Sequence, residues 1–410
     1  MKLLSFVWYI TSVLIIYLAI FLTRKYKFIQ LNIKKIYLSL KTKSNNNITP
    51  MESLSVSLAA KIGVGSLSGI ALAIYYGGIG TIFWIIIISL LVSINTYYEC
   101  ILGIMYHDKV DGRLVGGPSY YIKKCLGNKK LSILYSIILI ITYSILFLAI
   151  QTNTIISVTN YLNINGKLVI ILLVLLAIFI VLTGVRAVIR FNKIIVPIML
   201  ISYFILGLYI FINNYQIIPR LMVNILYEAF KIKSIIPVFL IGMQRAIFIS
   251  ESSLGTSAIT AASCDNDPHS QGLIEVLGIY ITIFIVSITT FLMIVSSDYN
   301  LINYDYLNGI EIVIYAFKYH FGYLGEIILS MVTIIFALST IIASYFLGEN
   351  NLYIISKKKM VKIIYKIIFV LVVLFSCYIK ANMIWNLTDY FVAILSIINV
   401  SSIIMINKKN

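Results

Sequence analysis

Charge is what this sequence has least of. Of 410 residues only 11% are charged and 60% are hydrophobic, with a mean hydropathy of +0.99. A soluble domain carries about 25% charged residues, so the chain lacks the polar surface that water requires. Acid is scarcer than base, at 15 Asp and Glu against 32 Lys and Arg, which leaves a net charge of +17. That excess lies in short loops between apolar runs, so it reads as membrane topology and not as a nucleic-acid footprint. Histidine is nearly absent. His107, His269 and His320 fall in expected loops without ligand spacing, which argues against a metal centre. The four cysteines, Cys100, Cys125, Cys264 and Cys377, form no CxxC pair and read as reduced thiols. No GxSxG elbow or phosphate loop occurs, so the residues offer no enzyme chemistry and call for no cofactor.

What is present is a series of apolar runs near the length of about 20 residues that a membrane helix needs. Eleven spans are expected, at 3–23, 52–75, 79–105, 131–158, 166–183, 194–213, 234–260, 271–297, 323–347, 361–380 and 383–406. The first is expected to be retained, having no small-residue cleavage site and a basic flank behind it. Heavy use of Ile, Lys, Asn and Tyr suggests an AT-rich bacterial genome, so the bilayer is expected to be a bacterial plasma membrane.

Basic residues alternate across the spans. One set comprises Arg24, Lys25, Lys27, Lys34, Lys35, Lys41 and Lys43; then Lys109, Arg113, Lys123, Lys124, Lys129 and Lys130; then Arg186, Arg190 and Lys193. It closes with Lys357–Lys359, Lys362, Lys408 and Lys409, while the uncharged-by-base loop Cys264–Gln271 lies on the same side. The other loops hold only Lys167, Arg220, Lys231, Lys233, Lys318 and Lys380. The richer set should face the cytoplasm, with the amino terminus outside and the carboxy terminus inside. One helix plus five plus five follows, and five being odd, the second set enters inverted. The expected organisation is 1–50 as a leading helix and basic linker, 51–215 as a first five-helix repeat and 216–410 as a second.

The first span of each set is abnormal. "KIGVGSLSGIALA" (Lys61–Ala73) places three glycines, two serines and a lysine within nine residues. Its counterpart, "IPVFLIGMQRAIFISESSLGTSAITAAS" (Ile236–Ser263), carries Gly242, Arg245, Glu251, Gly255 and a run of hydroxyls. Non-helical backbone at membrane depth is tolerated where it lines a cavity or is covered by protein. A broken helix leaves N–H groups free at one half-helix start, which attract a carboxylate. It leaves carbonyls free at the other half-helix end, which attract a cation. Paired breaks in corresponding spans therefore point to a transport site.

At these residues the chain resembles the sodium:alanine (alanine/glycine–cation) symporter family. The resemblance runs from "ITPMESLSVSLAAKIGVGSLSG" through "GGIGTIFW", "DGRLVGGPSYYI", "QTN", "RAIFISESSLGTSA", "PHSQGL" and "FALSTIIASYFLGE" to "WNLTDYF". It implies an all-α membrane protein with the LeuT-type five-plus-five inverted repeat, importing small neutral amino acids by alternating access with sodium as co-substrate. It further implies substrate contacts at Gly63, Gly65, Ser66, Gln151, Phe248, Thr340 and Ser344, and sodium at Ala59, Ile62, Ser339 and Thr340. Three positions depart from the family pattern: Lys61 for threonine, Ser66 for asparagine, and Ser344 for a tryptophan.

Lys61 stays open between two readings. Its ammonium replaces a bound cation or carries a coupling proton, or else the side chain snorkels to the cytoplasmic edge. Arg245 and Glu251 are candidates for a gate or for a buried pair with each other. Glu99 and Asp389 read as structural, Glu275 as interfacial, and Tyr120 and Tyr121 as amphipathic tips at the interface. Proton-coupled or uncoupled transport, and a non-transporting amino-acid sensor, are the alternatives.

Overall fold

A computed structural model describes residues 2–42, 49–183, 185–264, 266–297 and 309–409; Lys43 of the basic linker and the side chain of Arg186 lie outside the described residues. The described chain is helical apart from one short hairpin. It begins with α1 (Lys2–Lys25), α2 (Ile33–Ser39), α3 (Pro50–Lys61), α4 (Val64–Gly77) and α5 (Thr81–Met105). Strands β1 (Asp108–Val110) and β2 (Arg113–Val115) pair antiparallel, and α6 (Pro118–Cys125) follows. Helix α7 (Lys129–Ile141) runs through a π-helical turn into α8 (Leu148–Tyr161), then come α9 (Gly166–Thr183), α10 (Val185–Asn213) and α11 (Ile218–Phe230). The second part holds α12 (Ile235–Ser250), α13 (Thr256–Ala261), α14 (Pro268–Ile281), α15 (Ile288–Val295), α16 (Gly309–Phe321), α17 (Tyr323–Ile355), α18 (Lys359–Ser376) and α19 (Ala381–Lys409).

Among the described residues nine helices are long and apolar enough to cross a bilayer. The number is ten if α11 and α12, bent by 108°, count as one span. The chain is thus an all-α, multi-pass membrane protein. Two of the eleven expected spans do not stand among the nine, for physical reasons. The 234–260 run is cut by its break, leaving α12 with 16 residues. The 361–380 run is α18, which carries Lys359, Lys362 and Lys366.

Both expected breaks are present. Helix α3 starts with a capping box, Thr49 and Glu52 each bonding the other's backbone N–H, and with Pro50 in the first turn. It ends because Ile62 (φ −93°, ψ 71°) leaves the helical region, and α4 restarts after an extended Gly63. In the second broken span Glu251, Ser253 and Gly255 all have positive φ, at 51°, 69° and 86°. The two non-glycine residues each cost about 1–2 kcal/mol there, so their surroundings must hold them. Asn399 Nδ2 of α19 donates to the Ser253 carbonyl (3.0 Å), and Tyr135 Oη of α7 to that of Leu254 (2.6 Å). From α5, Asn95 Nδ2 donates to Ser253 Oγ (2.9 Å) and Thr96 Oγ1 to Ser252 Oγ (2.9 Å). The break is clamped by three helices.

Each broken span lies against helices distant in the sequence. Helices α12 and α13 run along α5, whereas α3 packs on α14, α17 and α10. This exchange places the two breaks side by side. The segment "GGPSYYI" differs from its sequence reading. Gly117 turns the chain with φ 111°, α6 begins at Pro118, and Tyr120 and Tyr121 are buried, not interfacial. Tyr121 bonds the Asn399 side chain, which satisfies its hydroxyl inside the bundle. His269 and His320 likewise lie within helices, His269 bonding Tyr97 Oη at 2.6 Å.

Candidate substrate and cation site

Three elements meet the first break. From α8, Gln151 Oε1 accepts from the Val64 N–H (3.1 Å), the first free amide of α4. From α17, Thr340 Oγ1 donates to the Ala59 carbonyl (2.7 Å), one of the free carbonyls at the end of α3. From α12, the Phe248 ring lies on Gly65: a Cβ at that residue would be 2.3 Å from Phe248 Cε1. A Cβ on Gly63 would lie 2.5 Å from Thr340 Oγ1 and 3.2 Å from Gln151 Nε2. Gly63 is extended, which any residue can adopt, so what requires glycine there is the close approach of these side chains and not its φ.

Five expected substrate residues, Gly63, Gly65, Gln151, Phe248 and Thr340, are therefore in one place. Ser66 joins them, its Oγ donating to the Gly63 carbonyl (2.8 Å). Ser344 lies one turn beyond Thr340 on α17 and is buried with an Oγ that has no hydrogen-bond partner. Of the expected cation residues, Ala59 and Thr340 meet and Ile62 sits at the break. The Ser339 hydroxyl turns back to its own helix, donating to Phe336 O (2.8 Å).

The aromatic wall extends beyond what the sequence indicated. Phe248 stacks on Phe147 of the π-helical turn (centroids 4.7 Å, 14°) and packs against Trp385 of α19 (5.2 Å). The Arg245 guanidinium sits 5.6 Å from the Phe248 ring and 5.3 Å from that of Trp385, within cation–π range. Its ionic partner is Asp389 (2.7 Å), not Glu251. Glu251 instead accepts from Thr256 Oγ1 across its own break (2.9 Å). Glu99 accepts from Asn399 Nδ2 (2.7 Å), the side chain that also holds Ser253.

Lys61 does not snorkel. Its ammonium is fully buried and donates to Ser57 Oγ (2.5 Å) and to Glu275 Oε2 of α14 (3.1 Å). Glu275, expected at the interface, is buried completely because that ammonium and the Ser57 hydroxyl compensate its charge.

In chemical terms the break offers an amide at a half-helix start, a carbonyl beside a hydroxyl at a half-helix end, and an aromatic wall over Gly65. Amides at a helix start favour carboxylate, and hard cations favour such oxygens. Comparison with known proteins agrees in kind. The model of a family described as the sodium:alanine symporter family matches residues 2–410.

The chain belongs to the sodium:alanine symporter family.

Within that family it is 28% identical to the amino-acid carrier protein AlsT of Bacillus subtilis (strain 168), over 98% of this chain and 88% of the relative. It is 27% identical to the probable sodium/glutamine symporter GlnT of the same organism, over 97% and 85%. It is 26% identical to the sodium/alanine symporter AgcS of Methanococcus maripaludis, over 98% and 93%. The family consists of transporters and not of enzymes, which agrees with a buried site built from backbone, hydroxyl and aromatic groups.

Proposed function

We propose that this chain is a secondary transporter that imports small neutral amino acids, alanine or glycine in type, with sodium as the coupled ion. The observation that carries the reading is the meeting of Gln151, Phe248 and Thr340 at Gly63 and Gly65. The substrate carboxylate takes the Val64 and Gly65 amides, an interaction that Gln151 Oε1 makes with Val64 here. Sodium takes the Ala59 carbonyl and the Thr340 hydroxyl, with Ser339 and the Ile62 carbonyl completing the set. Phe248 covers the side chain, and the small Ser344 leaves room beside Thr340. Arg245, held by Asp389 over Phe248, and Glu251, holding its own break, act at the gate.

We further propose the LeuT-type arrangement, with 1–50 preceding repeats 51–215 and 216–410. The exchange of packing between the broken spans supports it. The proposed topology puts the amino terminus outside and the carboxy terminus inside. Contacts that join the basic segments on one face support it: Lys25 to Asn407 (2.8 Å), Lys193 to Glu52 (2.8 Å) and Lys362 to Asp111 (2.9 Å). The Lys362 ammonium holds the exposed Asp111 carboxyl below its usual range.

Counterflow of labelled alanine in proteoliposomes tests the function, repeated with choline in place of sodium. Accumulation that requires sodium is expected, with unlabelled glycine and alanine competing and glutamine included because one relative's name carries it. Binding without counterflow would make the protein a sensor, and counterflow indifferent to sodium would remove sodium as the coupled ion.

A further inference from the structure

The Lys61–Glu275 pair is more than an isolated salt bridge. Four oxygen atoms from three elements are linked there: Ser57 Oγ from α3, Thr260 Oγ1 from α13, and both carboxylate oxygens of Glu275 from α14. The Ser57 hydroxyl donates to Glu275 Oε2, and Thr260 Oγ1 lies 3.4 Å from Oε1. Lys61 Nζ binds two of these oxygens at 2.5 and 3.1 Å, and both charged side chains are wholly inaccessible. The location is also the carbonyl end of the half-helix α3, where the helix dipole favours positive charge.

This cluster is separate from the site at Thr340. Ala59 and Lys61 are two positions apart, which is about 200° around an α-helix. Ala59 faces α17, and Lys61 faces α14, where its Nζ would lie 3.8 Å from a Cβ on Gly278. The ammonium therefore does not fill the carbonyl and hydroxyl set of Ala59 and Thr340.

We propose that Ser57, Thr260 and Glu275 form a second monovalent-cation site, and that the Lys61 ammonium is its built-in occupant. Hydroxyl and carboxylate oxygens are the ligands that a hard cation selects. A buried carboxylate must be compensated by a partner; the lysine supplies a covalently attached cation where a free one would otherwise be drawn. It follows that removing the ammonium while keeping the oxygens turns a built-in charge into a requirement for a dissolved ion.

The test reads folding and not uptake, so its failure is separable from failure of the transport reading. Lys61→Thr, the double variant Lys61→Thr/Glu275→Gln and the wild type are purified in detergent. Their melting temperatures are compared in sodium, potassium, lithium and choline chloride at one ionic strength and pH. A cation at about 100 times its Kd stabilises the folded state roughly 100-fold in population. Lys61→Thr is expected to melt several degrees higher in at least one alkali chloride than in choline, by a margin exceeding the wild-type margin. The double variant, which lacks the carboxylate charge, is expected to fall back to the wild-type margin. An equal margin in Lys61→Thr and wild type overturns the proposal. An extra margin that survives in the double variant overturns it too, since the ion would then bind elsewhere. Failure of Lys61→Thr to fold in any of the alkali chlorides also overturns it, because an oxygen site of this kind would rescue the fold.

Discussion

Gly63→Val is expected to lower sodium-driven alanine uptake about 100-fold, with the amount of protein in the membrane changed by less than about twofold. The chain is extended at Gly63, so valine meets no backbone strain. The obstacle is the neighbours. Its Cβ would fall 2.5 Å from Thr340 Oγ1 and 3.2–3.3 Å from the Gln151 amide. Both must retreat, and with them go the bond to the Ala59 carbonyl and the bond to the Val64 amide. Overpacking of this kind costs about 1–3 kcal/mol, and about 3 kcal/mol at a binding site is about 100-fold. The break itself survives, because Ile62 leaves the helical region and the extended backbone at Gly63 is one that valine adopts readily. Uptake is measured as initial rate in cells and normalised to membrane-inserted protein. A variant with near-normal uptake would show that Thr340 and Gln151 do not act at the first break.

Thr340→Val is expected to raise the sodium concentration for half-maximal uptake by about 10- to 100-fold, with a smaller change in the half-saturating alanine concentration at high sodium. Valine keeps the shape of threonine and removes only the hydroxyl. In the wild type that hydroxyl donates to the Ala59 carbonyl (2.7 Å), with Phe336 O of its own helix 3.1 Å away as the alternative acceptor. The substitution removes one ligand of the proposed sodium site and leaves the Ala59 carbonyl, buried at a half-helix end, without its partner. Such an unpaired buried group costs about 1–3 kcal/mol. The split between the two constants separates a cation ligand from a residue that merely packs. Equal effects on sodium and alanine would place Thr340 against the substrate instead.

That Gly63 and Thr340 meet at the first break was anticipated from two signals, one local and one from the resemblance. Glycines and hydroxyls inside an apolar run announce a break, and the resemblance placed Gln151, Phe248 and Thr340 near it. Most of the apolar runs became helices over nearly the expected bounds, 166–183 among them. Long-range pairing was not legible. Lys61 and Glu275 are 214 positions apart, and Arg245 and Asp389 are 144 apart. Nothing in either neighbourhood names its partner, so Glu275 read as interfacial, and Arg245 stayed open between a gate and a pair with Glu251. Tyr120 and Tyr121 misled for a related reason. A tyrosine beside a Gly-Gly-Pro turn looks like a membrane-interface residue, until Asn399 arrives from the last helix to satisfy one hydroxyl inside the bundle. Helix α16 was missed as well. Its 13 residues are too short for a span, and its apolar face is explained by the helices it packs against, chiefly α4 and α17.

The central claim is that the free backbone ends of the first interrupted span hold the amino acid and the sodium ion, with Phe248 of the second interrupted span closing over the substrate side chain. An experimental structure determined with alanine and sodium tests it most directly. The account predicts the carboxylate within hydrogen-bond distance of the Val64 and Gly65 amides, the methyl group against Phe248, and sodium between the Ala59 carbonyl and the Thr340 hydroxyl. Alanine bound away from Gly63–Gly65, with Gln151 still bonded to Val64, would contradict it.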